Sequence, residues 1–189
     1  MRTRIIKSTV VASLLFLLAF SLKAQVSLKL DVKSKMTLSG TSSLHDWESD
    51  ITKVYLTGTG SKENGKLALI ESLTITVPVK AIKSGKSLMD DKTYNALLAD
   101  KYPDIRFEIN SVQLMEGKIE SKGTLTFAGM TKVIDIKANY SFTTESTLNV
   151  KGSQRIDMTQ FGVNPPTALM GTVTTGKDVS IPYEIIINY

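Results

Sequence analysis

The chain has 189 residues, with 23 Lys+Arg against 18 Asp+Glu, one His, one Trp and no Cys. The absence of cysteine excludes disulfides, thiol catalysis, cysteine-ligated zinc and iron–sulfur clusters, and a single imidazole excludes a histidine-rich metal centre. The net charge of +5 does not mark a nucleic-acid binder: Arg2, Arg4, Lys7 and Lys23 fall in the first 24 residues, which hold no acid, and the remaining 19 bases against 18 acids leave +1.

Those first residues read as an export signal. A basic head precedes "VVASLLFLLAFSL" (10–22), an apolar run too short to span a bilayer comfortably, and "SLKAQ" offers cleavage after Ala24. No cysteine follows to carry a lipid anchor. The expected organisation is a signal over 1–24 and one domain over 25–189, exported to the periplasm or secreted.

The domain opens with alternation at 26–32 (Val26, Leu28, Leu30, Val32). Next, "TSSLHDWESD" (41–50) contains the only histidine and the only tryptophan. If 44–51 is extended, His45 and Trp47 share one face and Asp46 and Glu48 the other. The plainer reading makes Trp47 a core plug and His45 a rim hydrogen bonder. The other points both into a barrel mouth, where two rings with a polar nitrogen each suit an amphipathic guest. Asp46, Glu48 and Asp50 share a parity that reads as solvent-facing, not as a metal site.

A strand at 51–57 and the turn "SKENGK" (61–66) lead into "LALIESLTITVPV" (67–79), with Leu67, Leu69, Glu71, Leu73, Ile75, Val77 and Val79 on one parity. The pattern then breaks. "SLMDDKTYNALLADKYPD" (87–104) has Ser87 and Asp90 at capping-box spacing, Tyr94, Leu97 and Leu98 on one face and Pro103 beyond the end, predicting a single short helix at one end of the sheet. Its apolar stripe reads as ordinary packing.

Strands resume at 105–114, where apolar parity switches from Ile105, Phe107 and Ile109 to Val112 and Leu114, as a β-bulge near Asn110 and Ser111 produces. Further strands are predicted at 118–127, 133–142 (Ile134, Ile136, Ala138, Tyr140, Phe142), 147–158 and 178–189 (Val179, Ile181, Tyr183, Ile185, Ile187, Tyr189). "EGK" (116–118), "AGMTK" (128–132) and "TTGKD" (174–178) are turn signals. "NPPTALMG" (164–171) reads as a shaped loop at a barrel end with Leu169 or Met170 as a gate, or as a rigid surface turn. About eight strands with short connections predict an all-β, mainly antiparallel sheet closed into a barrel.

No nucleophile elbow, glycine-rich phosphate loop or His-Glu-x-x-His helix is present. His45 and Asp46 are adjacent on a strand and point to opposite faces, which disfavours a catalytic dyad. An outer-membrane barrel gives the same alternation. Against it stand the central helix and the thin aromatic content, eleven rings once Phe16 and Phe20 leave with the signal. A barrel filled by its own side chains, serving as a structural or partner-binding module, is a third reading. Pro182 lacks a ladder donor, which favours an edge or a bulge there, and an edge would leave room for a homodimer.

Five blocks in series, "SGTSSLHDW" (39–47), "KYPDIRFE" (101–108), "GTLTFAGMTKVI" (123–134), "FGVNPP" (161–166) and "DVSIPYEI" (178–185), resemble the YceI-like family in its short, Bacteroidetes-type form. The resemblance spans nearly all of 25–189. It implies an exported lipocalin-like, eight-stranded β-barrel with one short helix, no catalytic residues, no cofactor and no metal. The implied partner is an apolar lipid or polyisoprenoid ligand such as an isoprenoid quinone or fatty acid, loaded by transient membrane contact, with a possible link to stress response. Ligand contacts are expected from the inward parity: Trp47, Leu73, Ile75, Phe107, Phe127, Ile136, Tyr140, Phe161, Met170, Ile181 and Tyr183, with His45 as the head-group partner.

Overall fold

The structure is a computed structural model that describes residues 25–189; the export signal expected over 1–24 lies outside the described residues. In chain order the elements are β1 (Gln25–Leu30), β2 (Lys35–Ser42), β3 (Trp47–Ile51), β4 (Tyr55–Glu63), β5 (Lys66–Pro78), β6 (Ile82–Lys83), α1 (Ser87–Ala96), β7 (Asp104–Gln113), β8 (Lys118–Phe127), β9 (Met130–Thr144), β10 (Thr147–Asp157), β11 (Thr167–Ala168) and β12 (Val173–Asn188). Neighbours follow β1-β4-β5-β7-β8-β9-β10-β12, all antiparallel, and β12 returns to β1 through Lys29↔Asn188 and Leu30↔Ile187, closing an eight-stranded barrel. β2 runs beside β12 above β1, and β3 and β6 extend that side at the helix end.

Closure removes the sheet edges that would otherwise pair with other chains. Three connections are two-residue turns with both residues in the left-handed region: Asn64-Gly65, Glu116-Gly117 and Ala128-Gly129. That geometry matches the right-handed twist of the strands it joins, so the glycine signals at 61–66, 116–118 and 128–132 fall where the chain reverses, whereas "TTGKD" (174–178), expected as a turn, lies inside β12.

The inner face is apolar and the outer face polar. Asp135, Lys137 and Asn139 of β9 and Lys151, Ser153 and Arg155 of β10 are exposed outward, polar positions where an outer-membrane barrel carries its apolar band. One cluster, with Leu67, Leu148 and Ile187 almost fully buried, closes the end remote from α1. A second, around Phe127, Met158, Phe161 and Val163, packs at the helix end.

Several expectations need correction. β2 was not foreseen, because only Met36 and Leu38 stand among polar and glycine residues there. Val32 is 98% exposed, since β1 ends at Leu30. The unbroken parity expected over 67–79 is interrupted: the β4–β5 register shifts between Thr59 and Gly60, and Glu71 drops out of the ladder to β7. Leu67 and Ile70 are therefore buried on the inner side together with Leu73, Ile75 and Val77, while Glu71 turns out to meet Gln25 at 2.8 Å.

The matching irregularity in β7 falls at Ser111, with φ of 55°, which lets Ile105, Phe107, Ile109 and Val112 all face inward. Ser87 does not cap α1: Lys86 is the N-cap without a side-chain bond, and the Asp90 carboxylate instead accepts from the Ser84 amide (2.7 Å) and hydroxyl (2.6 Å). Pro182 is not at an edge. β12 pairs with β10 on one side, including Ser153↔Pro182, and with β2 on the other, where no pair is made at 181 and 182. The missing donor is accommodated inside a doubly paired strand, so this position offers no edge to a second copy.

Candidate functional site

A cavity of about 880 Å³ runs down the barrel from the helix end. Its walls are the inward side chains of the strands: Ile75 and Phe107 on one side, Ile134 and Ile136 next, then Ile181 and Tyr183. These residues are only partly buried although they point into the barrel; the surface they leave open faces the cavity. Ile70, Val112, Ile119 and Ile187 form the far end. The volume lies in the upper part of the range of small-molecule sites.

Trp47, Phe107 and Tyr183 line this space without plugging it, because each lies over a glycine of a neighbouring strand. A Cβ on Gly40 would stand 2.5 Å from the Trp47 ring, one on Gly123 2.2 Å from Phe107, and one on Gly152 2.4 Å from the Tyr183 hydroxyl. Gly40↔Trp47 and Gly152↔Tyr183 are direct cross-strand pairs. The glycines let the rings become wall.

Of the sequence-derived candidates, His45, Trp47, Leu73, Ile75, Phe107, Phe127, Ile136, Ile181 and Tyr183 line the cavity. Tyr140, Phe161 and Met170 do not. Tyr140 packs edge-on against Phe142 (5.7 Å between centroids) with the cluster at the far end, because its position on β9 lies below the open part of the barrel. Phe161 stacks on the back of Phe127 at 4.2 Å from the 3₁₀ turn Met158–Phe161. That turn sits where β9 and β10, paired only from Thr144/Thr147 to Ala138/Gly152, have separated. Met170 is fully exposed outside the mouth.

The polar ring nitrogens of His45 and Trp47 are mostly spoken for. The Trp47 indole N–H donates to the Thr41 carbonyl at 3.1 Å, so Trp47 offers a guest its ring alone. His45 Nδ1 lies 2.7 Å from the Asp46 carbonyl and therefore carries the proton in the neutral ring, leaving Nε2 as an acceptor. The bond runs to the backbone oxygen of Asp46 and not to its carboxylate, so no dyad forms.

Sequence reasoning missed the helix as a wall. Met89, Thr93 and Ala96, at i, i+4 and i+7, line the cavity with Leu97, while Tyr94 turns away and its hydroxyl donates toward the Ile82 (2.9 Å) and Lys80 (3.2 Å) carbonyls. The spacing of 89, 93 and 96 was visible, but the Tyr94-Leu97-Leu98 stripe competed with it. Gln154 was missed too, a polar side chain on the inner parity of β10. At the mouth stand Lys86 and Lys92, the latter donating to the Thr167 carbonyl at 2.6 Å across the opening, with Leu44, Leu88 and Leu169. No Asp or Glu lines the cavity among the described residues.

A closed antiparallel barrel, an apolar core cavity and the five sequence blocks in order coincide with one family model, the YceI-like domain, which matches residues 23–187. The chain belongs to the YceI-like family. Solved structures share this YceI-like fold at low identity. Burkholderia cenocepacia BcnA superposes with a TM-score of 0.67 at 18% identity, covering 83% of this chain and 98% of that one. A polyisoprenoid-binding domain from Saccharophagus degradans gives 0.61 at 12%, covering 85% and 97%. The Campylobacter jejuni YCEI protein gives 0.61 at 17%, covering 75% and 84%. No curated protein matches the sequence.

Proposed function

We propose that this chain is an exported binding protein that holds an isoprenoid or lipid-like molecule in the barrel and carries or stores it in the periplasm or outside the cell. The carrying observation is the open apolar cavity, whose inward isoleucines and phenylalanine stay partly exposed inside a closed sheet. The solved relative from Saccharophagus degradans, a polyisoprenoid-binding domain, supports the ligand class. Binding is apolar burial at roughly 25 cal/mol per Å², less the cost of ordering the chain. The chain's own residues supply shape and a few polar contacts.

The mouth suits loading from a membrane. Leu44, Leu88, Leu169 and Met170 are 67%, 78%, 71% and 106% exposed around one opening, with Lys86 and Lys92 beside them. Leu169 and Met170 both sit at positive φ, 48° and 56°, a strained backbone that presents apolar side chains to water. The test of the carrier reading is native mass spectrometry of protein purified without detergent, with extraction of any guest. A stoichiometric prenylated or fatty species is the expected result. An empty protein that also takes up no prenol, quinone or fatty acid would overturn it.

A further inference from the structure

Below the polar residues of the mouth and of α1, the cavity wall formed by the described residues is apolar except at one level. There Gln154 of β10 and Tyr183 of β12 both point inward, and the register places them as diagonal neighbours, Gln154 opposite Ile181 and Gly152 opposite Tyr183. Diagonal positions on one face of an antiparallel pair lie within reach of long side chains. Gly152 lets the Tyr183 ring lie across β10, bringing its hydroxyl beside the strand that carries Gln154.

Neither group is satisfied by the chain. Gln154 Nε2 makes one long bond, 3.3 Å to the Arg155 carbonyl, and its Oε1 has no donor among the described residues. Desolvation alone raises the Tyr183 hydroxyl above its ordinary acidity range, with no hydrogen bond contributing. Water in the ligand-free cavity can meet both groups, but an apolar ligand that displaces it leaves them unpaired, which is costly. Leucine and phenylalanine would build the same wall without that cost.

We propose that Tyr183 and Gln154 form an internal polar station that takes an uncharged oxygen function of the ligand, a hydroxyl or carbonyl, about half-way down the barrel and not at its mouth. The proposal rests on the carrier reading and narrows the ligand class. The tyrosine hydroxyl donates to the ligand oxygen, and the Gln154 carboxamide accepts from a hydroxyl or donates to a carbonyl. A carboxylate or phosphate is disfavoured at this depth, because among the described residues the lysines that line the cavity, Lys86 and Lys92, stand at the mouth, at the N-cap and in the second turn of α1. An ion placed at the station would be desolvated without a counter-charge. The station therefore separates neutral prenols and quinones both from plain hydrocarbons and from acids. A site built to hydrogen-bond a ligand oxygen rejects the analogue lacking it, since its own polar groups are then left unpaired.

Three C20 ligands of the same branched skeleton test this: phytol, phytane and phytanic acid, each competing against N-phenyl-1-naphthylamine for the delipidated protein. For the wild type we expect phytol to bind roughly tenfold more tightly than phytane, about the worth of one buried hydrogen bond. In Tyr183→Phe combined with Gln154→Leu that preference disappears, with phytane bound as well as before or better. Thermal unfolding of the variant establishes that the barrel is intact, and Tyr183→Phe alone keeps the ring on Gly152 and gives a partial loss should the double variant fail to fold.

A preference for phytol that survives both substitutions overturns the station. So does equal binding of phytol and phytane by the wild type. Tightest binding of phytanic acid, lost on Lys86→Ala with Lys92→Ala, would place the head group at the mouth and overturn it as well. A wild type that binds none of the three and does not take up the probe sinks the carrier reading itself, and the station with it.

Discussion

Ile136→Phe distinguishes an open barrel from a filled one by the sign of a stability change. Ile136 faces the cavity from β9, opposite Ser121 of β8, and is only partly buried. An empty, dry apolar space of 880 Å³ would cost roughly 20 kcal/mol at about 24 cal/mol per Å³. That exceeds the whole stability of an ordinary domain, about 5–15 kcal/mol, so the cavity of the ligand-free protein holds water or collapses. A larger side chain in a water-filled cavity gains burial. Three further carbons at about 0.8 kcal/mol each set an upper limit near 2 kcal/mol, and for a domain of this size that raises Tm by roughly 4–8 °C. In a filled barrel the same change is overpacking and costs about 1–3 kcal/mol. The assay is calorimetric unfolding of delipidated wild type and variant, with ligand uptake measured in parallel. A higher Tm with reduced capacity is expected. A lower Tm with unchanged capacity would refute the open cavity.

Three more outcomes follow from the same geometry. Asp157 is held at about 2 by the Lys177 ammonium at 2.8 Å and by the Thr159 hydroxyl and amide. Its folded value lies below its unfolded one, so its contribution is complete above about pH 4 and is lost as pH falls toward 2. Asp157→Asn should flatten this acid limb in melts taken from pH 5 to pH 2, and an unaltered limb would dismiss the pairing. The Tyr189 hydroxyl is buried without a hydrogen-bond partner among the described residues, so Tyr189→Phe should leave stability unchanged or raise it by up to about 1 kcal/mol; a loss in urea unfolding would refute this. Leu169→Glu with Met170→Glu should slow transfer of phytol from anionic vesicles severalfold while leaving its equilibrium affinity unchanged, and unaltered transfer kinetics would remove the mouth from loading.

Much of the barrel was legible because period two is a strong signal when one face is dry. The strands at 118–127, 133–142 and 178–189 were located by alternation alone, and Asn64-Gly65 and Glu116-Gly117 marked their own turns. What escaped reading depends on pairing. β2 carries too few apolar residues to announce itself, and the break at Glu71 appears only once β4 and β7 fix the register on either side. Tyr140 and Ile136 share a parity, yet only one reaches the cavity; parity gives the face of a strand and not the height along it.

Whether the barrel is open or filled could not be read from the apolar residues themselves, since Leu and Ile line a cavity as readily as they fill one. The deciding residues are the glycines opposite them. A tryptophan, a phenylalanine and a tyrosine projecting into an eight-stranded barrel would ordinarily occupy its centre. Gly40, Gly123 and Gly152 remove the Cβ atoms that would hold those rings off the wall, so the aromatic surface is spent on lining. The same substitution explains why the station can exist: a side chain at 152 would push the Tyr183 hydroxyl off β10 and away from Gln154. An inward glycine beside an inward aromatic, read together once the register is known, is the local signal of an open lumen in this chain.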